Sequence, residues 1–528
     1  MKFIQGQNRQ QLHLFPVSLE ESISIDNEVR VIDLFVDSLS LKNFGFDMDF
    51  IENGRPAYHP ADLLKLFIYG YLNKIRSSRD LEKECKRNIE LMWLIKSLEP
   101  DHNTISNFRR DNPKAIKKVF RASVQIAKHF DLIGGKLIAG DSTKLRAQNS
   151  KKNNYNQGKI DRHLLYIENK LEEYTKLLAT EDIENRAIIE KEIEKQNNRK
   201  ANYQSLSQQL IDTNEEQIST SDPESRQMIT RNNITEIAYN IQTTVDAKHN
   251  IPIDYKVTAN NDSKAMGNML QRAKSILQTN NFTALYDKGY HTGSEMKIAQ
   301  DLGINAIIAI PDVASNAPDH RYNVANFKYN KEDDTYTCPE HHILETNGNN
   351  YNKNRGKHRA IIQVKHYKTN ACKQCPSREL CTKNKSGRLI ERSEYAENIE
   401  QNRINVATNA KLYKRRQSIV EHPYGTIKRQ WGFNYILTKR GKARASADVG
   451  FMFIAYNLRR IINILGQDAL KKYFKVLCSS VLLFFNFIKH KISHFKLSKY
   501  FTPNSNLLIE VCYKRLIFDE NLKINRGF

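Results

Sequence analysis

The stretch Phe282-Thr-Ala-Leu-Tyr-Asp-Lys-Gly-Tyr290 decides how this chain is read. Its first half is short, apolar and rich in β-formers. It stops on Asp287, with Gly289 and a helix-like run from Ser294 to Leu302 behind it. That places a carboxylate at the C-terminal tip of a strand, the edge of an open α/β sheet where ligands bind. A strand-end Asp is also a common turn-former or cap, so the position gains meaning only if other carboxylates converge on it. Two more acids stand in suggestive contexts. Lys136-Leu-Ile-Ala-Gly-Asp-Ser-Thr-Lys144 predicts an apolar strand ending in Gly140-Asp141. From Lys411 to Arg444 the chain holds ten Lys/Arg and a single acid, Glu421. A lone carboxylate among phosphate-binding cations suits a metal ligand at a DNA-cutting site, and a surface ion pair is the plain alternative. Glu421 and Lys428 share a face if their helix is continuous, and Pro423 can kink or restart it.

The surroundings of these acids predict an α/β layered sheet. Alternation from Ile237 through Asp246 turns at Lys248-His-Asn250 into Ile251 to Val257, a β-hairpin. A helix around Ala265 to Leu277, the Asp287 strand with its helix, and the strand Asn305 to Pro311 follow. Strand, hairpin, helix, strand, helix, strand fits a mixed sheet flanked by helices. Residues 1 to about 135 read as helical. Pro60 stands at a first-turn position, one helix spans about Arg79 to Ile95, and Asp101 caps a short helix bearing Arg109 and Arg110. This is a candidate helix-turn-helix or a plain bundle with a basic face. Residues 150 to 235 are charged and near heptad spacing, which predicts a helical hairpin or short coiled coil. Asp246 reads as a hairpin turn residue, Asp448 as a helix cap, and Val449 to Ile464 as an apolar helix packing on the sheet.

With 82 Lys+Arg against 59 Asp+Glu the net charge is +23, which points to a polyanionic partner, nucleic acid before a membrane surface. The longest apolar run, Val476 to Ile488, is too short to span a bilayer and reads as a buried helix. No apolar signal core opens the chain and its seven cysteines form no even framework, so a reducing, cytoplasmic setting is expected. Four of them, Cys338, Cys372, Cys375 and Cys381, fall in a polar segment. Cys372-x2-Cys375 has zinc-ligand spacing, which leaves a structural zinc and metal-free thiols both open.

Together these residues resemble the DDE transposases of bacterial insertion sequences. Gly140-Asp141-Ser-Thr-Lys144 is similar to that family's first acidic motif, Tyr286-Asp287-Lys-Gly-Tyr290 to its second, and Val420-Glu421-His-Pro-Tyr-Gly-Thr-Ile-Lys428 to its third. The similarity extends to Val29-Arg-Val-Ile-Asp33, Asn107-Phe-Arg109 and Ala455-Tyr-Asn-Leu-Arg459, and the cysteine-bearing segment resembles one branch of the family. In the related Tyr-x2-Arg-x3-Glu-x6-Lys signature, Lys428 keeps its spacing. Arg416 stands one residue early, Gln417 takes its place, and Tyr413-x2-Arg416 survives as a pair.

The resemblance implies an RNase H-like catalytic core and a transposase that binds insertion-sequence ends and performs metal-dependent cleavage and strand transfer. Asp141, Asp287 and Glu421 would hold two Mg²⁺ ions, with Mn²⁺ able to substitute. Lys428, Arg416, Tyr413, Arg109 and Arg110 would contact double-stranded DNA, both terminal repeats and target. It further implies a homodimer on DNA, associated with the nucleoid. The alternatives are an inactive transposase-derived DNA-binding protein and an RNase H-like nuclease without strand transfer. The expected layout is a helical DNA-binding domain over 1–135, a core over 136–149 and 237–312, a helical insertion over 150–236 and a polar cysteine-containing insertion over 313–400. C-terminal core helices over 401–466 and an extension over 467–528 complete it.

Overall fold

In the computed structural model, residues 18–48, 56–180, 183–230, 234–311, 317–354 and 361–479 are described. The apolar run expected as a buried helix, Val476 to Ile488, lies mostly outside them, as does the tail beyond it. In chain order the elements begin with α1 (Val29–Asp37), α2 (Leu41–Phe44), α3 (Pro60–Leu72), α4 (Ser78–Arg87), α5 (Ile89–Leu94), α6 (His102–Asp111) and α7 (Pro113–His129). Next come β1 (Leu137–Arg146), β2 (Asn154–Tyr155), α8 (Gln157–Thr180), α9 (Ile183–Thr213), β3 (Ile218–Ser219), β4 (Arg226–Ile229), β5 (Thr235–Asp246) and β6 (Ile251–Thr258). Then follow α10 (Met266–Leu277), β7 (Thr283–Tyr286), α11 (Gly293–Asp301), β8 (Asn305–Ile308), β9 (Lys328–Asn330), β10 (Thr335–Thr337), β11 (Ile343–Lys353) and β12 (Ile362–Lys368). The series closes with α12 (Arg378–Cys381), β13 (Ile390–Ser393), α13 (Ala396–Thr408), α14 (Ala410–Tyr424) and α15 (Lys442–Leu465).

The chain divides into two compact units. The first comprises Met1–Gly134, Ser142–Asn260 and Val420–Phe528, and the second Gly135–Asp141 and Asn261–Ile419. The main sheet has the order β4-β5-β1-β7-β8, with β6 also paired to β5. It is mixed: β4 and β6 run antiparallel to successive parts of β5, whereas β1, β7 and β8 are parallel. This is an α/β architecture with helices on the sheet, consistent with the RNase H-like fold.

In the first unit, local chemistry starts and stops the helices. Pro60 occupies the opening turn of α3, and His59 Nδ1 accepts from Ala61 N at 3.2 Å. The single helix expected over Arg79 to Ile95 is two. Asn88 is extended and its side-chain oxygen accepts from Glu90 N and Leu91 N, which caps α5 afresh. Asp101 caps α6 as expected, accepting from Asn103 N at 2.9 Å and Thr104 N at 3.0 Å. Phe67, Phe108 and Phe451 stack where α3, α6 and α15 meet, at 4.7 Å for Phe67 and Phe451, and each buried ring is worth roughly 1.5–3 kcal/mol. Helix α15 presses onto β6 because Gly450 has no side chain: a Cβ there would stand 2.6 Å from Tyr255 Oη. The segment expected as a helical insertion holds the pair α8 and α9 but also β4, which joins the sheet.

Asp246 is fully buried, and its Oδ1 accepts from Gly134 N and Lys248 N, both at 2.9 Å, the turn role expected. Asp448 is not a cap. It lies inside α15, fully buried, beside Arg76 (3.5 Å) and Arg109 (3.8 Å), bonded to Tyr71 Oη, and it accepts from Leu437 N at 2.6 Å.

In the second unit the polar cysteine-containing segment folds into an antiparallel sheet of order β13-β12-β11-β10-β9. Tyr322, Phe327, Tyr336, Leu344, Tyr367 and Ile390 are among the residues of its own small core.

Candidate active site

The second unit brings two of the predicted acids together. Strands β1 and β7 lie in parallel with Leu137 opposite Thr283 and Ala139 opposite Leu285. Carried two residues further, that register sets Asp141 level with Asp287. Asp287 stands at the tip of β7 as expected. Its Oδ1 accepts from Gly289 N at 2.9 Å, which is the turn role the sequence allows for it. Asp141 differs from expectation: β1 does not stop there but continues to Arg146, because Ala147 N bonds Ile237 O of β5 at 2.9 Å and Arg146 bridges to Tyr435 in the first unit. The acid therefore projects from mid-strand.

The glycine before it has a steric reason. A Cβ on Gly140 would lie 2.0 Å from Cε1 of Tyr286, whose fully buried ring crosses β1 at that point. No larger residue fits without displacing the strand that carries Asp141.

Helix α14 brings the counter-charge. Arg416 Nη1 donates to Asp141 Oδ2 at 3.3 Å, with both side chains mostly buried. Burial works against the Arg416 charge, but Asp141, Tyr413 and Asp287 outweigh it and hold its pKa above the usual value. Tyr413 Oη donates to Tyr286 O at 3.1 Å, and burial raises its pKa, opposed by Arg416. Two carboxylates level on adjacent strands repel, and a guanidinium that feels both relieves the repulsion. Arg416, one residue early in the signature, reaches Asp141 from an uninterrupted α-helical turn.

In the first unit, Glu421 is exposed on the last turns of α14. Pro423 does not start a new helix; it sits inside α14 and cannot bond the carbonyl of Ile419. The chain widens immediately after, into a π-helix over Gly425–Gln430. Such wide turns recur at functional sites. The condition for Glu421 and Lys428 to share a face, one continuous α-helix, is therefore not met. Lys428 Nζ instead donates to Thr143 Oγ1 at 2.9 Å and Lys144 O at 3.3 Å. Thr143 was not singled out from sequence, although Ser142-Thr143-Lys144 directly follows the first acid.

Arg109 also requires correction. It is 5% exposed and donates to Tyr71 Oη at 2.9 Å and Arg76 O at 3.2 Å, with its guanidinium over Phe67, so it cannot lie on a duplex. Arg110 is exposed and forks onto Asp111, with both bonds at 2.6 Å. Among the described residues, no three His, Cys, Asp or Glu side chains are already arranged to hold a metal ion. Among them, too, no helix is long and apolar enough to cross a membrane.

The mixed sheet, with the acids of its two adjacent parallel strands level and an arginine on them, suits an RNase H-like DNA-processing enzyme. Two family models sharpen that class: a transposase domain matches residues 17–111, and a transposase DDE domain matches residues 337–462. Both matches support a DDE transposase of an insertion sequence. The second match takes in Tyr413, Arg416, Glu421, Lys428 and the four clustered cysteines, whereas Asp141 and Asp287 lie outside both. No curated protein matches the chain.

Proposed function

We propose that this transposase binds the ends of its insertion sequence and catalyses metal-dependent cleavage and strand transfer through Asp141, Asp287 and Glu421. The observation that carries the reading is the register that sets Asp141 level with Asp287, with Arg416 on the first of them. The three acids offer only carboxylate oxygens, the donors that hard Mg²⁺ takes and that Mn²⁺ accepts as well. When bound, two such ions would activate the attacking hydroxyl and stabilise the leaving oxygen of an in-line displacement.

The chain's own groups have separate tasks. Asp141 and Asp287 set where the scissile phosphate lies, because they stand on strands that cannot shift without breaking the parallel ladder. Arg416 neutralises them in the free protein and pairs with phosphate once they are occupied. Tyr413 orients α14 against Tyr286 O. Lys428 steadies the second half of β1 through Thr143 and supplies positive charge beside it. Arg110 adds a contact from the helical region, and the net charge of +23 draws the duplex in. The DNA partners are the element's terminal repeats and the target. Pairing two ends calls for a homodimer, and the setting is the cytoplasm at the nucleoid.

The test is cleavage of a labelled fragment carrying the element's own ends, with Mg²⁺, with EDTA, and with Glu421→Gln. Cutting that needs the metal and is lost in the variant, while end binding persists, supports the reading. Binding without cutting in the wild type turns it into the DNA-binding alternative, and cutting without end joining turns it into the nuclease.

A further inference from the structure

The second unit holds another cluster of reactive side chains that transposition chemistry does not use. Cys338, Cys372, Cys375 and Cys381 come from three separate stretches and line one cavity of about 20 Å³, room for a single ion or water. Cys338 follows β10, Cys372 lies in the turn Asn370–Lys373 with Cys375 beyond it, and Cys381 ends α12. All four are free thiols.

Three features shape this cavity. Arg388 lines it and is 8% exposed; its Nη1 donates to Cys381 O at 3.3 Å, yet its buried Nε has no hydrogen-bond partner among the described residues. A buried guanidinium with an unmet donor is costly unless an anionic group comes beside it. His342 N donates to Cys338 Sγ at 3.3 Å, from a tight turn closed by Cys338 N to His342 O and His341 N to Cys338 O, both 2.9 Å. Gly387 has φ +93°, and a Cβ there would stand 2.6 Å from Cys372 Cβ, so only glycine lets the backbone leading to Arg388 press against the Cys-x2-Cys turn.

We propose that Cys338, Cys372, Cys375 and Cys381 bind one zinc ion that fastens the β9–β13 module. Four sulfur donors from turns are the ligand set of a closed tetrahedral zinc site. The four thiols release four protons on binding, leaving a tetrathiolate with two net negative charges beside Arg388. Among the described residues no three ligands are yet drawn together, so the ion gathers them inward from the cavity wall. The module has the size at which a staple matters: below roughly 80 residues one apolar core rarely suffices.

The experiment is elemental analysis of the full-length chain purified without chelator, beside Cys372→Ser, Cys381→Ser and Cys478→Ser. One zinc per chain in the wild type and in Cys478→Ser, lost in the other two, is expected. Because the serine variants can fail to fold, the wild type is also loaded with cobalt, where intense thiolate-to-metal charge-transfer absorption with tetrahedral d–d bands supports the site. Zinc far below one per chain with the thiols reduced, a Cys372–Cys375 disulfide in freshly isolated protein, zinc retained in Cys372→Ser, or cobalt spectra without thiolate bands each overturns it. Metal content is read without DNA, so failure here leaves the transposition reading untouched.

Discussion

Replacing Asp448 by asparagine separates two accounts of the buried charge in the first unit. A helix cap would lose about 1 kcal/mol on substitution. The structure makes Asp448 instead the counter-ion of Arg76 and Arg109, whose side chains are each only 6% exposed, and the acceptor for Leu437 N and Tyr71 Oη. The amide side chain would keep the volume and remove the charge, leaving two buried guanidiniums uncompensated. Breaking such a group costs about 3–5 kcal/mol, a large part of the roughly 5–15 kcal/mol that holds a domain folded. Both tryptophans, Trp93 and Trp431, lie in the first unit, so denaturant unfolding followed by their fluorescence reports this transition. Arg110→Ala, at an exposed ion pair, is the control and should stay within about 0.5 kcal/mol. A loss of 1 kcal/mol or less in Asp448→Asn would refute the network as a structural keystone and leave Asp448 worth no more than a cap. The same logic predicts that Arg109→Lys lowers stability without a selective defect in end binding at temperatures where it is folded.

Other outcomes follow from the same geometry. Gly140→Ala keeps all three acids but drives a Cβ into the Tyr286 ring; cleavage should fall on the order of a hundredfold, because small misplacements of reacting groups cost that much, while Gly158→Ala, in open space on α8, should cleave normally. Lys428→Ala should lower the salt slope of end binding by about 0.9 if it neutralises one phosphate, and an unchanged slope assigns it to Thr143 alone. The Lys365 hydrogen bond, with those of Tyr367 and Tyr329, holds Asp334 down at about 2 against an ordinary 3.8, so its contribution is present above about pH 4 and is lost as pH falls toward 2. Near-ultraviolet circular dichroism of the Tyr329, Tyr336 and Tyr367 cluster should lose signal over that window, and Asp334→Asn should remove the pH dependence. Burial pushes the Cys85 thiol up to about 12, so it should resist alkylation at neutral pH until the first unit unfolds.

Local pattern was enough for the elements and for the neighbourhood of each acid. The apolar runs before Asp141 and Asp287, the hairpin around Asn250 and the caps at Pro60 and Asp101 are written in adjacent residues. Their partners are the next few backbone groups, so sequence alone determined them. The small sheet of the cysteine segment was not legible, because its longest strand, β11, is exposed along most of its length and β9, β10 and β13 are only three or four residues long, so little apolar alternation stands above the turns.

What the tertiary structure decided are pairings across long stretches of chain. Only the β1–β7 register sets Asp141 level with Asp287, only the course of α14 brings Arg416 to Asp141, and only the packing of α3 and α6 on α15 turns Arg109 from a candidate DNA contact into a buried partner of Asp448. In the same way, the reason for Gly140 lies in a ring far along the chain. Charge type is a property of the sequence. Whether a charge meets DNA, a metal or another buried charge depends on which distant residues the fold packs around it and how much water it removes.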